Sequence, residues 1–247
     1  MEKTASGLSA NQIKWIAVAA MAIDHAAWVF VPTYSALGQG MHLFGRITAP
    51  VMCFFLSEGY AHTRSKGRYA LRLALFALIS QAPFVFFETG KFQFFPDSLF
   101  AGGDPSESLN VIYTLFLSLL AIWAWDSIRS GTLRALAILA LCILAIPGDW
   151  TFCDVIFSVL FWIYRGNLRL QMKWFAVSAA CVVILFSAES ALAGQPFGQL
   201  FQAGLFLCIP LLLCYNGKRG GGTGSKWAFY VFYPAHLAAV RGLSFLI

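Results

Sequence analysis

The chain has 247 residues, 59% of them hydrophobic and 11% charged, with a formal net charge of +6. A soluble globular domain carries about 25% charged residues, so this composition, with a mean hydropathy of +0.71, excludes one and implies an integral membrane protein. The positive charge does not point to nucleic acid, because the Lys and Arg residues fall in short loops between apolar runs, where they set membrane orientation.

The N-terminus, MEKTASGLSANQ, is polar, and the first apolar run lacks a small-residue cleavage site after a short core. It is expected to be retained as a span rather than removed. In chain order the apolar segments predict about nine transmembrane helices, near 13–34, 41–62, 69–87, 109–126, 132–147, 150–165, 173–190, 198–216 and 226–246. The fifth and sixth are short and separated only by PGDW, which suits a tight helical hairpin or a re-entrant segment. No soluble domain, repeat or low-complexity tract interrupts them. The expected fold is one all-α polytopic bundle over 1–247.

With the N-terminus in the cytoplasm, fourteen of the seventeen Lys and Arg residues fall at cytoplasmic ends and loops. They include Lys3, Lys14, Arg64, Lys66, Arg68, Arg72, Lys218, Arg219 and Lys226. Only Lys91 falls in an outer loop, and Arg46 and Arg241 lie inside spans. This asymmetry predicts an N-in, C-out membrane protein. The outer loop 88–108, with Glu88, Asp97, Asp104 and Glu107, is placed to cover the outer mouth of a cavity. Six cysteines are scattered singly through apolar segments and read as small apolar filler. No Cys/His spacing suggests a metal site, and none is expected.

Chemistry should reside in the polar groups within the membrane, because ionisable residues there are costly. The first span carries Asp24 and His25. Lys14 precedes His25 by eleven residues, about three turns, so the two share a face roughly 16 Å apart along the axis. Consecutive helical residues point about 100° apart, so Asp24 must face another partner than His25 does; Arg46 or Arg241 could neutralise it. The alanines around the pair allow close approach of a neighbouring helix. His42 and Arg46 lie in the second span with Glu58 and His62, an i,i+4 pair. His42 and His62 read as hydrogen-bonding to neighbours. Asp154 lies in the sixth span, and Tyr230, Tyr233, His236 and Arg241 in the last. The basic cluster Arg64, Lys66, Arg68 and Arg72 is either a topology signal or a phosphate clamp. KRGGGTGSK (218–226) lacks P-loop spacing and reads as a flexible cytoplasmic loop, near phosphate if the clamp is real.

The strings IKWIAVAAMAIDH (13–25), FGRITAPVMCFFLSEGYAHTRSKGRYALRLALFALISQAPF (44–84), LNVIYTLF (109–116), YNGKRG (215–220) and WAFYVFYPAHL (227–237) resemble the TraX family across almost the whole chain. That family includes the membrane enzyme that acetylates the N-terminal amine of conjugative F-type pilin. One stretch departs: in DWTFCDV (149–155), Thr151 and Asp154 stand where the family usually has glycine. More distantly, Lys14 and His25 are similar to the Arg/Lys, ten residues, His signature of the acyltransferase-3 membrane acyltransferases. FFLSEGY (54–60) and YVFYPAHL (230–237) resemble two further strings of that group.

The resemblance implies an acetyl-CoA-dependent acyltransferase with a pilin-like protein or other amine as acceptor. Lys14 would lie at the CoA end of the donor, with Arg64, Arg68, Arg72, Lys218 and Arg219 as further phosphate ligands. His25 would lie at the acyl carbon with Asp24 beside it, and Tyr233, His236 or Arg46 would stabilise the oxyanion. An O-acetyltransferase acting on a glycan, a transporter, and a non-catalytic assembly protein remain as other classes.

Overall fold

The computed structural model describes residues 7–99, 108–222 and 225–246, with backbone alone at 225 and 226. Lys3, Asp104, Glu107 and the side chain of Lys226 therefore lie outside the described residues. Those residues form ten α-helices and two 3₁₀ segments, with isolated β-bridges only. The α-helices are α1 (Ala10–Phe30), α2 (Ala36–Gly45), α3 (Thr48–His62), α4 (Lys66–Thr89), α5 (Val111–Ser127), α6 (Gly131–Leu144), α7 (Cys153–Ile163), α8 (Leu168–Leu192), α9 (Cys208–Leu213) and α10 (Ser225–Leu243).

The starts of these helices follow from local chemistry. Ser9, Ser35, Ser65, Asn110, Ser130 and Asn167 each place a side-chain oxygen on a first-turn N–H of the helix that follows. At Ser9 the cap is reciprocal, with Gln12 returning a bond to the Ser9 backbone. Gly90, at φ 76°, ends α4 in the left-handed conformation that glycine adopts without strain.

Among the described residues three helices are long and apolar enough to cross a membrane, α1, α4 and α8; this number corrects the expectation of nine. Helix occupies the place of every expected span, but most pieces are short. One expected span is broken outright: the 41–62 segment divides into α2 and α3 at Arg46–Ile47. The 198–216 segment stays helical but winds as a 3₁₀ stretch (Leu200–Leu207) before it continues as α9. The break falls between Gly45 and Pro50, and the change of winding between Gly204 and Pro210. A proline lacks the N–H and crowds the carbonyl four residues earlier, and glycine weakens the helix it would have to hold straight. Pro83 and Pro234, with no such glycine, remain inside α4 and α10.

Membrane residence is also written on the surface. On α4 the buried face carries Leu73, Ala77, Phe84 and Phe87, while Leu71, Leu75, Leu78 and Ile79 are exposed. On α6 no residue is buried, yet Leu133, Leu136, Leu139 and Ile143 project outward. Helices apolar on both faces need a hydrocarbon solvent. The chain is a helical membrane protein.

Contacts divide the chain into two units, each assembled from separate stretches of sequence. The first comprises residues up to Phe55 and Tyr164–Phe229, the second Leu56–Ile163 and Tyr230 onward. In the first, α1 packs on α2, α2 on the 3₁₀ stretch, and that stretch on α8 and α9. In the second, α5 is the hub for α4, α6 and α7. Its apolar core includes Leu117, Ala121, Ala145, Val155 and Val159.

Hydrogen bonds tie the segments of each unit together at both ends. In the first unit the Ala10 and Asn11 amides donate to the Lys218 and Arg219 carbonyls, both at 2.9 Å. At the other end Gln39 Nε2 donates to the Gly198 carbonyl at 3.2 Å. In the second unit Asp126 accepts from Tyr60 at 2.9 Å and Lys66 at 2.6 Å. At the opposite end Arg241 donates to the Phe87 and Glu88 carbonyls, both at 2.7 Å, and Glu88 accepts from Ser108.

Candidate functional site

The first unit holds a buried group of charged side chains. On α1, Asp24 faces α2 and both its oxygens are occupied. Oδ1 lies 2.7 Å from His42 Nδ1, and Oδ2 accepts from the Arg46 guanidinium. His42 and Arg46 are i,i+4 neighbours bracketing the last turn of α2, so both reach one carboxylate. Close approach of the helices makes this possible: a side chain at Gly45 would collide with Asp24. Thr48, at the start of α3, ties the same region to α1 by donating to the Ala17 carbonyl at 3.0 Å. Aromatic rings wall the network. His42 lies 4.1 Å from Trp28 and 5.2 Å from Phe201, ring centre to ring centre, and Arg46 stands 5.3 Å over Phe201. The break between α2 and α3 and the 3₁₀ stretch thus both border the Asp24 network. In membrane proteins irregular backbone at depth is tolerated where protein or a cavity surrounds it, and it recurs at binding sites.

His25 is buried one residue beyond Asp24. Of the two arginines that could neutralise Asp24, Arg46 does so; Arg241 is bound to the α4 carbonyls in the other unit.

Lys14, near the start of α1, lies over the rings of Phe55 at 5.0 Å and Phe229 at 5.8 Å. Among the described residues no carboxylate pairs with it; the charge acting on it most is that of Arg219. Arg219 and Lys218 are held close by backbone. Besides the two α1 amides, the Leu8 amide donates to the Cys214 carbonyl at 2.8 Å and the Asn216 amide to the Leu8 carbonyl at 3.0 Å. Gly220 and Gly221, at φ 61° and 67°, lie so close to Ser9 and Asn11 that any side chain would collide. The expectation of a free loop is corrected here: up to Gly221 the basic segment is clamped on the first turn of α1, because only glycine permits both the backbone angle and the approach.

The remaining candidates belong to the second unit. Tyr233 is buried and accepts weakly from the Val111 amide at 3.4 Å. His236 Nδ1 hydrogen-bonds the Phe232 carbonyl at 2.9 Å, with its ring stacked on Phe232. Arg72 donates to the Tyr230 hydroxyl at 3.2 Å, whereas Arg64 and Arg68 are exposed. His62 Nδ1 lies 2.8 Å from the Glu58 backbone carbonyl. Asp154 is buried and accepts from the Thr114 hydroxyl at 2.7 Å, and Thr151 has a left-handed φ of 46°. Among the described residues no three His, Cys, Asp or Glu side chains gather as a metal site.

Sequence reasoning left His42 out of the site. The signal was present in HLFGR (42–46), where His and Arg fall four residues apart on one face, opposite a span that carries an aspartate.

Apolar helices that need a hydrocarbon solvent, a broken helical segment at a buried carboxylate, and a basic loop fixed to the first helix define a helical membrane protein with an internal polar centre. The chain belongs to the TraX family, matching the family described as TraX protein over residues 9–244. It is 32% identical over 238 residues to the probable fimbrial assembly protein FimC, serogroup H1, of Dichelobacter nodosus, covering 93% of each chain. No solved structure matches it.

Proposed function

We propose that this protein is a membrane-embedded acetyltransferase that moves the acetyl group of cytoplasmic acetyl-CoA to an amine, the N-terminus of a pilin or fimbrial subunit. The observation that carries the reading is the axis of α1. Lys14, with which no carboxylate pairs among the described residues, stands at the end of α1 whose first turn is tied to the Lys218 and Arg219 backbone, and about 16 Å farther on the same face lies His25 next to a buried Asp–His–Arg network. That interval suits the slender pantetheine arm, whose phosphates must stay at the membrane surface while its thioester enters. The family and its fimbrial relative favour a pilin-type acceptor.

Lys14, Lys218 and Arg219 hold the phosphates, for which clustered cations without carboxylates are suited. His25 stands at the thioester carbonyl, where protons must move from attacking amine to departing thiol. A free α-amine has a pKa of about 7.7–8.0, so at neutral pH it is mostly protonated and needs a base as it attacks. Arg46 shares the unit of His25 and is the oxyanion donor in this reading.

Replacing Lys14 by Gln tests the donor side. Removing a hydrogen bond to a charged group costs about 1.5–3 kcal/mol, a roughly ten- to hundredfold rise in Kd. Acetyl-CoA binding is expected to weaken by that factor, while a short acetyl-pantetheine donor without the nucleotide loses little. Equal losses with both donors would remove the phosphate contact from the account.

The chain is read as a multi-pass protein of the bacterial inner membrane with its N-terminus inside. A reporter active only in the cytoplasm should work when placed in the 215–222 loop and be silent at the C-terminus. The reverse pattern would put the phosphate cluster on the side without acetyl-CoA.

A further inference from the structure

His42 has no role in the reading above, yet it has the geometry of an oriented base. A carboxylate only accepts, so Nδ1 carries the proton that lies between His42 and Asp24, and in the neutral ring the lone pair falls on Nε2. Arg46 occupies the other carboxylate oxygen, which fixes Asp24 in turn and so the imidazole. Among the described residues nothing donates to Nε2, although His42 is wholly buried. A buried acceptor without a donor destabilises the fold, so its retention points to a partner supplied from outside the chain.

The direction from which that partner comes is also legible. Trp28, which covers one face of the imidazole, is 45% exposed, whereas His42 is 0% exposed. Trp28 lies three residues past His25 counted from Lys14, about 4.5 Å farther along α1. The donor enters from the Lys14 end in the reading above, so the Trp28 side is left for the acceptor. An indole face is a favourable resting place for an ammonium group.

We infer that His42 is the base for the acceptor amine, oriented by Asp24 and screened by Trp28, while His25 serves the departing thiol; this rests on the acetyltransferase reading. The neutral amine forms the C–N bond to the thioester carbon and the C–S bond breaks. The N–H proton passes to His42 Nε2, and the CoA thiolate takes a proton from His25. His42 then releases its proton and His25 regains one, so the balance is amine plus thioester giving amide plus thiol.

His42→Asn separates this role from a merely structural tie. The Asn amide can donate to Asp24 from the place of Nδ1 but offers no base at Nε2. Hydroxylamine, unprotonated at neutral pH, serves as an acceptor that needs no base. Detergent-purified variant and wild type are compared with acetyl-CoA and either a peptide with a free N-terminus or hydroxylamine. Transfer to the peptide is expected to fall about 10²–10⁴-fold in His42→Asn, with transfer to hydroxylamine within a few-fold of wild type, which also reports an intact fold. His42→Gln, which also keeps a neutral amide and offers no base, should reproduce the selective loss and stands in if His42→Asn does not accumulate. Peptide transfer near the wild-type rate, or equal loss with both acceptors, would overturn the assignment of His42. Wild-type protein active with neither acceptor would overturn the acetyltransferase reading itself.

Discussion

His25→Ala is expected to lower acetyl transfer about 10²–10⁴-fold, with peptide and hydroxylamine acceptors alike, while the protein still folds. The breadth of the loss follows from its place at the thioester, which every acceptor must use. Persistence of the fold follows from Asp24, whose carboxylate is held by His42 and Arg46 and keeps both partners when His25 is gone. Initial rates of CoA release with each acceptor, beside thermal unfolding in detergent, check both halves. A folded His25→Ala protein with near-normal turnover would move the chemistry off α1.

Arg46→Ala is expected to act on stability first. Removing one partner of a buried ion pair leaves an uncompensated charge and costs about 3–5 kcal/mol. Here the loss would also loosen the break between α2 and α3, where Arg46 stands, and its stacking over Phe201. Adding Asp24→Asn should recover much of the loss, because the stranded carboxylate is then neutral; the difference between double and single variants measures the coupling. Unfolding of an Arg46→Ala protein at the wild-type midpoint would mean that the pair holds nothing together.

The legible parts of this fold are those that short-range rules govern. Apolar run length placed helix at every expected span, and α1, α4 and α8 emerged at full crossing length. Ser or Asn caps the starts of α1, α2, α4, α5, α6 and α8, a local signal in the sequence that run length alone does not use. Hydropathy averages over about 19 residues, so it passes smoothly across Gly45–Pro50, where the backbone breaks, and Gly204–Pro210, where the winding changes. The partner of Asp24 was narrowed to two arginines by charge alone, but choosing Arg46 needed the contact of α2 with α1 that Gly45 permits. His42 was treated as an ordinary hydrogen-bonded histidine because its bond to Asp24 spans eighteen residues and two helices. The same limit hid the clamp on the glycine-rich loop, which depends on carbonyls of Lys218 and Arg219 reaching the first turn of a helix two hundred residues earlier in the chain. Thr151 is a contrasting case. The family resemblance marks its place as one for glycine, and the threonine there has a left-handed φ of 46°. A β-branched residue rarely occupies that region.

Transfer itself is the most direct measure of the account. Purified wild-type protein is given acetyl-CoA labelled in its acetyl group and a peptide bearing the N-terminal residues of a fimbrial subunit, and the products are followed by mass spectrometry with release of free CoA. The account predicts label on the peptide α-amine, one CoA released per acetyl transferred, and loss of both in His25→Ala. Folded wild-type protein that leaves acetyl-CoA intact, or a His25→Ala protein that transfers as well as wild type, would contradict it.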